Sequence, residues 1–228
     1  MTELHPIVFL LDDEPAVVVA LARMLQSSGF TVSPYTSAVE FLEAHDAETP
    51  GCLVADVRMP GMSGLELQRT LRARGIDRAI VFVAGQGDIA TTVQAMKAGA
   101  VTFLSKPVRR TELVAAVREA LLRDAIGRAQ HREREDLVRR LASLTPRERQ
   151  VLELVATGML NKQIAAELGA AEKTIKVHRG RIMEKMQVRT ATALVGLLSR
   201  AETRADPARG SPAAGRGRPL NTPGGNLT

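Results

Sequence analysis

Cysteine is nearly absent: the 228 residues hold one, Cys52. An internal disulfide is therefore excluded, and so is a thiolate metal site. Histidine is scarce too. His5, His45, His131 and His178 show no ligand spacing, which argues against a histidine metal centre. No apolar stretch reaches the roughly 18 residues that a membrane-spanning helix needs. The opening Met-Thr-Glu-Leu-His lacks the basic and apolar regions of a secretory leader, so a cytoplasmic location is expected. What is present suits a globular chain: 45% hydrophobic and 25% charged residues exclude wholesale disorder.

The net charge of +6 is unevenly spread. Residues 1–123 carry 12 Lys and Arg against 14 Asp and Glu, and residues 124–201 carry 15 against 9. The last segment carries 4 against 2. A basic second half behind an acidic first half points to a polyanionic partner, the plainer alternative being a solvated basic surface.

In the first half, short apolar runs alternate with helical spacing. Apolar runs lie at 6–11, 30–33, 52–55, 80–83 and 101–104, and helical patterns at 16–25, 38–44, 63–74, 89–98 and from Thr111 onward. This alternation predicts an α/β domain: a doubly wound five-stranded parallel sheet of flavodoxin-like type. Ligands of such sheets sit beyond the carboxyl ends of the strands. At those ends stand Asp12 and Asp13, Asp56, Ala84 and Lys106. Converging carboxylates repel one another unless a cation joins them, and hard oxygen donors of this kind suit Mg²⁺. A lysine opposite them suits a phosphoryl oxygen, and a carboxylate so placed can attack phosphorus to form an acyl phosphate. Any one acid alone could merely cap a helix. Four strand ends with matching chemistry outweigh that reading.

The order Asp12-Asp13, then Asp56-Val-Arg-Met-Pro60-Gly-Met-Ser-Gly64, then Lys106-Pro107 resembles the receiver domain of two-component response regulators. Gly85-Gln-Gly-Asp88 and Met96-Lys-Ala-Gly-Ala100 resemble the FixJ branch in particular. The resemblance implies that Asp56 accepts a phosphoryl group from a sensor histidine kinase. It implies that Asp13 ligates Mg²⁺, with Asp12 holding it directly or through water, and with Asp56 and the Arg58 carbonyl completing the set. Lys106 would pair with the phosphoryl oxygens, and Phe103 matches the aromatic position that changes rotamer on activation. Ala84 departs from the family, which usually has Thr or Ser there. Alanine cannot donate a hydrogen bond to the phosphoryl group, and a bond of that kind is worth about 1.5–3 kcal/mol. Weaker coupling between phosphorylation and the following loop is expected, with Gly85 and Gly87 leaving that loop mobile.

The second half predicts an all-α helix-turn-helix domain. Thr145-Pro146-Arg147-Glu148 is a capping box with proline at the first helical position. Val151, Leu152, Val155 and Ala156 follow on one face, and Gly158 ends the helix. Asn161 is expected to cap a short helix that Gly169 ends. A third helix runs from Glu172 to Met186, and a fourth carries Ala193, Leu194, Leu197 and Leu198. On a wheel of about 100° per residue, Ile175, Ile182 and Met186 share the core face. Lys173, Val177, Gly180 and Arg181 fall opposite, with Lys176 beside them. Arg179 lies nearer the core and ranks below Lys176 as a DNA-contacting residue. A lone exposed valine is common, but against DNA it can meet a thymine methyl while its basic neighbours reach bases or phosphates.

Leu144-Thr-Pro-Arg-Glu148, Asn161-Lys-Gln-Ile-Ala165 and Thr174-Ile-Lys-Val-His178 resemble the LuxR-type DNA-binding domain. That resemblance places the helix from Glu172 in the major groove, with Lys176 and Val177 at base edges and Thr174 and Lys162 on phosphates. Ala171 departs from the usual serine cap, a loss of about 0.5–2 kcal/mol.

The expected organisation is a receiver at 1–123, a helical linker at 124–140, a DNA-binding domain at 141–201 and a disordered Pro/Gly/Ala/Arg-rich tail at 202–228. Leu113, Val114, Val117, Leu121, Leu137 and Leu141 predict one long linking helix, with Gly127 as its weak point. The implied function is a transcription regulator in which phosphorylation alters the face of the fourth helix, fifth strand and fifth helix and favours a homodimer on double-stranded DNA. The alternative is a phosphorylation-independent DNA-binding regulator. An aspartate-nucleophile phosphatase needs an acid two residues after the nucleophile, and Arg58 stands there instead. No enzyme activity and no membrane partner are expected.

Overall fold

Two runs buried at every position form the centre of a sheet: β3 (Gly51–Asp56) and β4 (Ala79–Ala84). With β1 (Ile7–Leu11), β2 (Thr31–Tyr35) and β5 (Thr102–Ser105) they make a five-stranded parallel sheet of order β2-β1-β3-β4-β5. The computed structural model describes residues 5–85 and 89–205. The loop expected to be mobile at Gly87 and the tail from 206 onward lie outside the described residues.

Strand alternation divides the core in two. Val8, Leu10, Cys52, Val54, Val81 and Val83 face α1 (Pro15–Gln26) and the first part of α5 (Arg110–Ala142). Phe9, Leu11, Leu53, Ala55, Ile80 and Phe82 face α2 (Ala38–Ala44), α3 (Gly64–Ala73) and α4 (Ile89–Lys97). This is the doubly wound α/β architecture that the alternation predicts. The second strand lies one to two residues later than expected and takes in Pro34. Proline is tolerated there because β2 is an edge strand.

Contacts group the described residues into two compact units that divide between Arg132 and Glu133. α5 is helical from Arg110 to Ala142 and passes Gly127 without a break. Its last turns, at Leu137 and Leu141, pack with Leu144 into the second core. That core is built by α6 (Pro146–Ala156), α7 (Asn161–Glu167), α8 (Glu172–Lys185) and α9 (Ala191–Ala205) around Val151, Ile164, Ile175, Ile182, Met186 and Leu194. Two details differ from expectation. The cap of α7 is Leu160, whose N–H donates to Gln163 Oε1 at 2.8 Å, and Asn161 is the first helical residue. The helix α9 includes residues 202–205, because no breaker occurs before Pro207. Among the described residues, no helix is long and apolar enough to cross a membrane.

The capping box at α6 is formed as predicted. Glu148 N–H donates to Thr145 Oγ1 at 3.2 Å, and Thr145 N–H donates to Glu148 Oε2 at 2.9 Å. Lys185 at the end of α8 donates from Nζ to that same carboxylate at 2.7 Å. The hydrogen bond from Lys185, with the capping N–H, holds the Glu148 carboxyl down at about 2, below its ordinary 4.5. Its stabilisation is therefore complete above pH 4.5 and is lost as the pH falls toward 2. Glu148→Gln is expected to cost about 1.5–3 kcal/mol near neutrality, because Lys185 loses a charged partner. Thermal melts against pH check this: the variant should lose much of the acid dependence between pH 4.5 and 2.

Candidate functional sites

The crevice of a doubly wound sheet opens where the strand order reverses, which here is between β1 and β3. Asp12 follows β1 and is 1% exposed; Asp56 ends β3 and is 5% exposed. Each carboxylate is held the same way from behind. Asp12 Oδ1 accepts from Glu14 N–H at 3.0 Å, and Asp56 Oδ2 accepts from Arg58 N–H at 2.6 Å. The outer oxygens meet one cation. Lys106 Nζ lies 2.7 Å from Asp12 Oδ2 and 2.9 Å from Asp56 Oδ1. Glu14 approaches the same ammonium at 3.9 Å.

Burial pushes the Asp56 carboxyl up, and the Lys106 ammonium and Arg58 N–H offset that only in part. Burial works against the Lys106 charge, but the hydrogen bonds to Asp12 and Asp56 outweigh it and hold its pKa above the ordinary lysine value. Two buried carboxylates thus share a single ammonium, with half-buried Asp13 beside them. The surplus is negative, and the donors are hard oxygens, a chemistry that fits a small divalent cation. Among the described residues no three acid, histidine or cysteine side chains form a ready-made metal cluster. Lys106 stands between the two principal acids instead.

The loop after β3 must pass close to that strand. A Cβ on Gly64, the first residue of α3, would lie 2.4 Å from the Asp56 carbonyl oxygen. Only glycine lets the chain return so near the carboxylate. Ser63 and Glu66 then close a capping box that starts the helix. Ala84 ends β4 with its methyl buried, and its carbonyl accepts from Lys106 N–H at 2.7 Å. Phe103, on the neighbouring strand, is half-buried against the second face of the core.

In the second unit, α7, its Gly169 turn and α8 form a helix-turn-helix. Lys173, Thr174, Lys176, Val177, Gly180 and Arg181 all lie exposed on α8, opposite buried Ile175 and Ile182. Lys162 is exposed on α7. Arg179 is half-buried, and its Nη1 donates to the Met159 carbonyl at 3.3 Å, tying α8 to the turn before α7. Nothing in the chain stands within 4 Å of where a Cβ on Gly180 would be. Ala171, at the cap of α8, makes no side-chain cap bond, as its chemistry requires. Sequence reasoning missed a cluster of buried Arg78 and Asp124 with half-buried Arg128, which has no local motif beyond the i,i+4 spacing of the last two.

The sheet with its acid–lysine crevice, followed by the helix-turn-helix, has the arrangement of a receiver domain joined to a DNA-binding module. The family model of the response regulator receiver domain matches residues 8–118, and that of bacterial regulatory proteins of the luxR family matches 142–198. The chain belongs to the two-component response regulators with a LuxR-type DNA-binding domain, which regulate transcription. It is 45% identical over 188 residues to the transcriptional regulatory protein FixJ of Azorhizobium caulinodans, covering 82% of this chain and 89% of that one. It is 45% identical over 189 residues to nodulation protein W of Bradyrhizobium diazoefficiens, covering 83% of each. The solved structure of response regulator StyR matches with a TM-score of 0.79 at 46% identity, over 86% of this chain and 99% of that one. Receiver domains generally bind Mg²⁺ at the phosphorylation site.

Proposed function

We propose that Asp56 accepts a phosphoryl group from a sensor histidine kinase, and that phosphorylation controls dimerisation and sequence-specific binding of α8 to double-stranded DNA. The observation that carries this reading is Lys106 bridging two buried carboxylates at the switch point of the sheet. An Asp56 oxygen attacks phosphorus, the bond to the donor breaks, and the donor keeps the electron pair, leaving an acyl phosphate. Lys106 turns from the carboxylate to the new phosphoryl oxygens. Asp12, Asp13, Asp56 and the Arg58 carbonyl would hold Mg²⁺, which when bound supplies positive charge against the phosphoryl oxygens. Phe103 reports the change to the face made by α4, β5 and α5, and Ala84, lacking a hydroxyl, weakens that coupling. In this reading 1–123 receives the signal, 124–140 connects, and 141–201 binds DNA, in the cytoplasm.

On α8, Lys176 and Val177 meet base edges. Lys173, Thr174 and Arg181, with Lys162 from α7, meet phosphates or flanking bases, and Gly180 lets the backbone approach the duplex. Arg179 serves chiefly to position α8, since its guanidinium is already engaged. The test is DNA affinity and sedimentation of the full chain before and after acetyl phosphate with Mg²⁺. Tighter binding and a heavier species after treatment support the reading; identical behaviour despite a confirmed adduct overturns it.

One observation favours the phosphorylation-independent alternative: the residue at the end of β4, where the family usually carries a Thr or Ser hydroxyl, is a buried alanine, Ala84. Ala84→Thr is therefore expected to widen the gap in DNA affinity between phosphorylated and unphosphorylated protein. The gain is about tenfold or more, corresponding to one hydrogen bond to a charged group. Phosphoryl uptake itself should change little. A gap unaltered by the substitution would show that position 84 does not govern the coupling.

A further inference from the structure

At the amino ends of the strands, opposite the Asp56 crevice, the receiver unit buries a second charge cluster. Asp124 of α5 is 7% exposed. Its Oδ2 accepts from Gly51 N–H at 3.0 Å and from Arg128 Nε at 2.9 Å, and Arg78 Nη1 lies 3.5 Å from Oδ1. The Arg78 side chain is almost fully buried just before β4, with its guanidinium 5.2 Å above the Phe9 ring. It donates to the carbonyls of Asp46, Ala47, Thr49 and Gly51. Arg128, one turn beyond Asp124, donates to the carbonyls of Ala47, Glu48 and Thr49 at 2.6–2.9 Å. Two guanidiniums thus hold the loop between α2 and β3 against α5.

His45 completes the cluster. Its Nε2 lies 3.1 Å from Arg78 Nη2, and a guanidinium only donates, so Nε2 accepts and the ring is neutral. Burial, then the Arg78 charge, hold its pKa down at about 4.

The apolar grip of the sheet on α5 ends at Ala120 and half-buried Leu121. From Leu122 to Asp136, Asp124 is the one buried residue, and Leu122 and Ile126 are exposed. Packing alone would release the helix after Leu121. The charge cluster extends the grip for about two further turns, on both sides of Gly127. Polar contacts at Asp124 and Arg128 also fix rotation about the helix axis, because a turned helix would leave a buried carboxylate unpaired.

We propose that Arg78, Asp124 and Arg128 form a positioning clamp that makes residues 122–128 of α5 part of the receiver body, and so couples the receiver's state to the connecting helix. The coupling rests on the phosphorylation reading above; the grip on α5 does not.

The test uses the full-length chain with Arg128→Gln, Asp124→Asn and Arg78→Met. Arg128 is partly exposed, so its variant is the one expected to fold without difficulty. Amide hydrogen exchange should quicken about tenfold to a hundredfold over 122–132, as expected for loss of a charge-assisted bond, while 113–120 keep their protection. The phosphoryl adduct on Asp56, read by intact mass, should form as in the wild type. The ratio of DNA affinities with and without phosphorylation should fall toward one. Unchanged exchange at 122–132 in Arg128→Gln overturns the clamp, and so does a lost protection that leaves the affinity ratio intact. If the wild type itself shows no phosphorylation-dependent affinity, the phosphorylation reading fails, and the exchange measurement still decides the clamp.

Discussion

Asp56→Asn is expected to abolish the phosphoryl adduct that acetyl phosphate and Mg²⁺ form on the wild-type chain, as read by intact mass. The carboxamide has nearly the same shape, so it can keep the Arg58 N–H contact made by Asp56 Oδ2. It has no anionic oxygen to attack phosphorus. Folding should survive, because the substitution removes a buried charge whose own burial already disfavours ionisation. Lys106 keeps its bond to Asp12. Treatment with acetyl phosphate should then leave DNA affinity and sedimentation unchanged. An adduct that persists on the variant would place the acceptor elsewhere and remove the basis of the switch.

Lys176→Glu is expected to weaken DNA binding tenfold or more, by about 1.4 kcal/mol at least, since attraction is replaced by repulsion against a polyanion. The salt dependence of binding should flatten as well. Val177→Ala separates base reading from electrostatics. Val177 is 48% exposed in the basic face and loses little stability when shortened. If it touches a thymine methyl, the variant loses discrimination at one base pair while binding to unrelated DNA stays the same. Gly180→Ala works in opposite directions at once. It should stabilise α8 by about 1 kcal/mol, since the added methyl meets nothing in the chain, and still lower DNA affinity if α8 lies in the groove as proposed. Binding titrations on specific and unrelated duplexes decide all three. Equal affinity for every variant would mean that this face of α8 is not the reader.

Much of the receiver was legible because its information is local. Residues 52–55 and 80–83 are continuous apolar runs, and the structure buries them at every position. The acids and the lysine stand directly at strand ends, so once the strands are placed the parallel order brings Asp12, Asp56 and Lys106 to one edge. The capping box at Thr145 depends on residues three apart and formed as read, and the structure adds a second of the same spacing at Ser63. The exposed face of α8 follows from helical period alone. Asn161 was misplaced by one residue because Gln163 caps a leucine N–H, which the preference for polar caps does not anticipate.

Residue pattern and spacing were enough for the α/β class, the helix-turn-helix and the residues at the crevice, since each rests on periodicity or on the end of a single element, whereas the family followed from the resemblance of whole motifs. They were silent about how the charges are balanced. That Lys106 bridges two buried carboxylates, that Lys185 lies against Glu148, that Arg179 is engaged with Met159, and that Arg78 and Arg128 seize one loop, all depend on partners brought together by packing. Gly51 and Asp124 are 73 residues apart, and Arg78 and Asp124 are 46 apart. Such pairs leave no mark in a window of neighbouring residues. They form because a charge enclosed by the fold must find its counter-charge there, and only the tertiary arrangement decides which charges are enclosed.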